Sequence, residues 1–168
     1  KHKTFPVIIS NLTYQWVDNL ESALKEARRV LVDEGRFYFT IFLEDTLKEL
    51  KETIFELLGH AAGDLDSITN LPSRASVKTL LEKAGFQNIK MGAKIFRQNY
   101  SNLFALLNWL KQIGANRFWS EKFYNGLAAR GFLEKIKREY ESHYRDNGNI
   151  FATFEVLFVE AQMSTDSF

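Results

Sequence analysis

The sequence has no cysteine. Disulfides, thiolate metal sites and cysteine nucleophiles are therefore excluded, and packing alone must hold the fold together. Histidine is scarce and scattered, at His2, His60 and His143, so neither a metal-binding pair nor a nucleophile–base triad can be built, and no catalytic residue is assigned. The acidic pair Asp64 and Asp66 lacks the glycine and terminal glutamate of a calcium loop, so no metal site is expected. Neither charge sign is in excess: 22 Lys and Arg against 21 Asp and Glu give a net +1. A chain so balanced lacks the basic face a general nucleic-acid binder needs to displace counterions. No apolar run approaches the roughly twenty residues of a membrane span, and Lys1–Thr4 has no signal-peptide layout. The expectation is a soluble cytoplasmic protein with no nucleic-acid or membrane partner.

What is present is apolar and aromatic. Of 168 residues, 45% are hydrophobic and 15 are phenylalanine, enough for one domain with a real core. Residues Phe5–Phe42 organise the rest. Val7–Ile9 is a short β-branched run without polar alternation, which predicts a strand buried on both faces. Leu20, Ala23, Leu24, Ala27 and Leu31 then form one stripe of an amphipathic helix over residues 19–32. Asp18 with Glu21 offers a capping box, and Gly35 a left-handed stop. Phe37–Phe42 is a second buried run. Strand, helix and strand at this spacing predict a right-handed parallel βαβ unit, whose ligands bind beyond the carboxyl ends of the strands. That end is Ser10–Trp16, polar and amide-rich yet carrying Tyr14 and Trp16.

Further along, Thr46 and Glu49 form a capping box for a helix over 47–58. Ser73 caps a helix over 74–83, closed by Ala84-Gly85-Phe86. Residues 88–96 alternate with period two, as a strand with one wet face near a sheet edge does. Helices follow over 102–113 and 128–144, then a turn at Asp146–Asn149 and a last strand over 150–161.

Several of these pieces carry a family resemblance. Ser10-Asn11-Leu12 followed by Gln15-Trp16, the helix ending Arg29-Val30-Leu31, Thr46–Leu50, Leu80–Phe86, Leu110–Asn116 and Ala152–Val156 together resemble the class I S-adenosylmethionine-dependent methyltransferases. Among these they most resemble the malonyl-acyl-carrier-protein O-methyltransferases of biotin synthesis. Pro6 departs from the pattern, standing where such families usually have aspartate. The resemblance implies an α/β fold, the carboxyl-terminal portion of a Rossmann-like sheet. It would hold four strands, the last antiparallel and inserted between its second and third. The sheet core would comprise residues 1–42, 73–100 and 149–162, with 44–60 and 101–145 as a helical lid, in a single-domain fragment. No glycine sits in a G-x-G turn after a strand, so the amino-terminal cofactor-binding half is expected to lie upstream and this chain alone to be weak or inactive.

The resemblance also implies a cofactor, S-adenosylmethionine, with Ser10, Asn11 and Leu12 beside its methionine half. Gln15 and Trp16 would face the acceptor pocket, and Arg117 or Lys111 would recognise a free carboxylate. The partner would be an acyl-carrier protein bearing a malonyl group, with Arg130, Lys135, Lys137 and Arg138 as a candidate landing patch. The same segments resemble a mitochondrial respiratory-complex assembly factor that hydroxylates arginine, which favours histidine where Gln15 stands. A non-enzymatic binding module is the third alternative.

Overall fold

A computed structural model describes residues 3–58, 71–115 and 127–163. Among them the chain runs β1 (Phe5–Asn11), α1 (Leu20–Val30), β2 (Leu31–Phe42), α2 (Lys48–Leu58) and α3 (Arg74–Lys83). It continues through β3 (Phe86–Tyr100), α4 (Leu103–Gln112), α5 (Leu127–His143), β4 (Arg145–Asp146) and β5 (Asn149–Met163). One 3-10 turn, Tyr14–Trp16, lies between β1 and α1. The chain divides into two compact units: Lys1–Leu43 with Pro72–Ile95 and Glu155–Phe168, and Glu44–Leu71 with Phe96–Phe154.

The first unit is built on the expected βαβ crossover. β1 and β2 are parallel, with Ile8 opposite Phe37 and Ser10 opposite Phe39. β5 enters antiparallel beside β2, with Phe39 opposite Val159, and the sheet order is β1-β2-β5-β3. Side chains alternate across a strand, so Phe37, Phe39 and Val159 share a face. That face packs with Leu24 of α1 and with Val77 and Leu81 of α3, none of these six more than 4% exposed. Phe37 and Phe39 stack at 4.7 Å, and Tyr14 closes over both at 5.6 and 5.3 Å. Full burial of each such side chain stabilises by about 1.5–3 kcal/mol.

The opposite face is open. Val7, Ile9 and Phe158 are 46%, 77% and 45% exposed, so β1 is not buried on both faces as its β-branched run predicts. The described helices of this unit cover one side only, and β1 is an edge strand. Polar side chains share the open face: Arg36 donates to the Tyr38 hydroxyl at 3.3 Å, and Lys90 approaches Glu160 at 3.4 Å.

Helix boundaries also depart from expectation. The cap of α1 is Asn19, whose Oδ1 accepts from the Ser22 amide at 2.8 Å, and Glu21 pairs with Lys25 at 2.6 Å. Gly35 does not stop the helix. Leu31 is already extended at ψ 141°, and the left-handed residue is Glu34 at φ +60°. Gly35 serves instead where space is short, since a Cβ there would meet the Val32 carbonyl at 2.7 Å. Ser73 caps α3 as expected, and Gly85 closes it at φ +86°.

In the second unit Leu50, Ile54, Leu103, Leu106, Ile136 and Ile150 are fully buried. Glu49 is 2% exposed. Its carboxylate turns inward, accepting from the Thr153 amide at 3.0 Å and from the Thr153 hydroxyl. Tyr140 donates to the Phe151 carbonyl at 2.7 Å, and Tyr144 to Glu52 at 2.7 Å. Asn147 and Gly148, at φ +49° and +82°, turn β4 into β5 as an Asn-Gly hairpin requires.

Candidate functional site

The carboxyl end of β1 makes a tight corner. Asn11 lies opposite Thr40 of β2, and Leu12 leaves the sheet with φ +48°, a conformation that costs a side-chain-bearing residue energy unless its surroundings hold it. They do so through several bonds. The Leu12 amide donates to both the Thr40 carbonyl, at 3.2 Å, and the Thr40 hydroxyl, at 2.9 Å. The Thr40 hydroxyl in turn donates to Asn11 Oδ1 at 2.6 Å. Gln15 Nε2 donates to the Leu12 carbonyl, and the Thr13 hydroxyl to the Asn11 carbonyl at 3.1 Å. Behind the corner Tyr14 is anchored on Phe37 and Phe39, and burial raises its hydroxyl pKa above the ordinary tyrosine value.

Beside the corner lies a concavity of about 440 Å³, with Ser10, Asn11, Thr40, Tyr38, Lys90 and Glu160 among the residues that line it. Apolar walls with a few convergent polar groups describe a ligand site. Of the expected residues, Ser10 and Asn11 line this space, and Leu12 forms the turn above them. Gln15 and Trp16 sit in the adjoining 3-10 turn but are not among the lining residues. With its amide NH2 given to Leu12, Gln15 holds its Oε1 buried and without a partner among the described residues. That bond uses only one of the two NH2 hydrogens, so one donor of Gln15 remains. Lys111 is exposed in the last turn of α4, in the second unit. Arg117 lies outside the described residues. In the suggested landing patch, Lys137 is engaged within its own unit, its ammonium 5.2 Å from the Phe104 ring centre.

The sequence reading overlooked Thr40. Its signal was a threonine in the aromatic and apolar run Phe37–Phe42, opposite the polar end of the neighbouring strand.

A second concavity, of about 780 Å³, is lined by Lys3, Lys25, Arg28, Arg29 and Lys83. Four of these cations need no ligand to explain them: Arg28 and Arg29 sit in the last turn of α1, Lys25 lies nearby, and Lys83 ends α3, where positive charge complements the helix dipole. Lys3, Lys25 and Arg29 also pair with Asp33, Glu21 and Glu26. Among the described residues no cluster could hold a metal ion, and no helix is long and apolar enough to cross a membrane.

Comparison with known proteins bears on this arrangement. Residues 1–39 match a family model described as a methyltransferase domain. Over 155 residues, 92% of its length, the chain is 32% identical to a malonyl-[acyl-carrier protein] O-methyltransferase of Methylovorus sp. (strain MP688), of which it covers 50%. Over 159 residues, 93% of its length, it is 29% identical to the mitochondrial arginine-hydroxylase NDUFAF5 of Mus musculus, of which it covers 46%. The chain thus spans about half the length of the curated relatives it matches. Among solved structures, a candidate methyltransferase from Bacillus halodurans C-125 shares the fold with a TM-score of 0.55 at 16% identity, over 98% of this chain and 67% of that one.

Proposed function

Taking as premise that this chain is a relative of the class I S-adenosylmethionine-dependent methyltransferases, we propose that it forms part of an enzyme that methylates a carboxylate, with malonyl-acyl-carrier protein as acceptor. The observation that carries the reading is the parallel β1–α1–β2 crossover with its polar corner at the strands' carboxyl ends, where ligands of such sheets bind.

The corner's chemistry suits the cofactor. Because Thr40 occupies Asn11 Oδ1, the NH2 is the end of that amide left to meet a ligand, a donor suited to the carboxylate of the cofactor's methionine half. Ser10 adds a hydroxyl beside it. When bound, S-adenosylmethionine supplies an electrophilic methyl group on a positively charged sulfur. The acceptor is already an anion at neutral pH, so no general base is required. The protein's contribution is alignment and partial removal of water. Gln15 stiffens the corner through Leu12, and Trp16 is proposed to wall the acceptor side.

The test is direct. The full-length protein encoded by the gene is incubated with S-adenosylmethionine and malonyl-acyl-carrier protein, and the carrier is weighed intact. A mass gain of one methylene, removable by mild ester hydrolysis, is expected. The second reading, arginine hydroxylation, is favoured by the mouse relative; its product gains one oxygen on a protein arginine and consumes no methyl donor. Absence of both S-adenosylhomocysteine binding and methylation in the full-length protein would remove the first reading.

A further inference from the structure

The polar group most committed to the corner is a hydroxyl on the neighbouring strand. Thr40 lies in the middle of the apolar run of β2, yet its hydroxyl makes two short bonds, both to the end of β1. An amide N–H can only donate, so the Thr40 oxygen must accept from Leu12. The hydroxyl's single proton is then committed to Asn11 Oδ1. With Asn11 Oδ1 taking that proton, the NH2 is the group left to a ligand in the concavity that Asn11 lines. The same oxygen helps retain Leu12 at φ +48°, which sets the direction of the chain toward Tyr14–Trp16.

We propose that Thr40 is the positioning residue of this site: one hydroxyl orients the Asn11 amide as a donor and clasps the Leu12 turn, so that ligand affinity depends on a side chain that need not touch the ligand. This rests on the reading that the corner receives the methionine half of S-adenosylmethionine. The ligand class it selects at Asn11 is an acceptor, such as a carboxylate; an ammonium there would face a donor and be rejected.

The experiment uses the full-length protein encoded by the gene, with S-adenosylhomocysteine as the calorimetric probe, and amide exchange at Leu12 as the structural readout. Thr40→Val keeps the shape and removes the oxygen. Affinity is expected to fall about tenfold, in line with the loss of one to two net hydrogen bonds, while Leu12 exchanges faster and the melting temperature moves little. Thr40→Ser keeps the oxygen and should restore both affinity and protection. In an Asn11→Ala background Thr40→Val should cost much less than it does alone, because the pair acts as a unit. Equal affinity in Thr40→Val and wild type overturns the proposal, as does an affinity loss without faster Leu12 exchange. A Ser variant as weak as the Val variant assigns the effect to shape and also overturns it. A blank wild-type control removes the cofactor reading itself, and is distinct from all of these.

Discussion

At the scale of single residues, the second unit depends on polar groups taken out of water. Glu49 is buried with both carboxylate oxygens engaged by Thr153. Removing it strands the Thr153 amide, so Glu49→Ala should destabilise by about 2–4 kcal/mol in urea unfolding. Glu49→Gln should cost less, because one amide oxygen can still accept from the backbone while the threonine hydroxyl rotates to accept from the new NH2. The tyrosines make a second prediction. Burial pushes Tyr100 up to about 12. Tyr140 is raised first by burial and then by Glu49 and its neighbouring tyrosines, and Tyr144 first by burial and then by its bond to Glu52. In the unfolded chain these phenols ionise near the ordinary tyrosine value of 10.0. Above that pH the unfolded state sheds protons that the native state retains, so stability is whole below pH ~10 and falls as pH rises toward and beyond 12. Denaturant midpoints measured through that window should decline, and Tyr140→Phe should make the decline shallower.

At the scale of elements, α1 offers a sharp comparison, since two adjacent residues could each cap it. Asn19 is the observed cap, and Asn19→Ala should lower stability by about 1 kcal/mol. This pair also marks where the sequence could be read and where it could not. Apolar period located α1, and the β-branched and phenylalanine-rich runs located β1 and β2, because such patterns are written within one segment. Ser73 was legible for the same reason, having no competing polar neighbour on its apolar side. Asp18 and Asn19 are both good caps, and only the bend of the entering chain chooses between them. Burial of β1 was not legible: a β-branched run states what it prefers, and not which elements come to cover it. Glu49 and Thr40 were misread or missed because their partners, Thr153 and Asn11, are distant in the chain. Around the corner, the strand-end rule pointed to Ser10–Trp16 as a segment and the family resemblance suggested Ser10 and Asn11 for the cofactor, while Thr40 required the pairing register.

At the scale of the whole molecule, the open face of the sheet is the dominant feature. Val7, Ile9 and Phe158 are exposed together with the unpaired edge of β1, a combination that invites pairing with another chain. The isolated chain should associate as its concentration rises. Ile9→Lys, at a position 77% exposed, should suppress that association in light scattering while changing the unfolding midpoint by less than about 0.5 kcal/mol equivalent.

The position of β5 bears on how the chain is made. Among the described strands it leaves the ribosome last, yet it lies between β2 and β3 and donates or accepts along both. Until its final residues emerge, two long strands wait with open sides and the aromatic stack of Phe37 and Phe39 lacks its neighbour Val159. Without β5 the sheet lacks the strand that joins β2 to β3, so a chain truncated before Asn149 is expected to expose apolar surface and to aggregate.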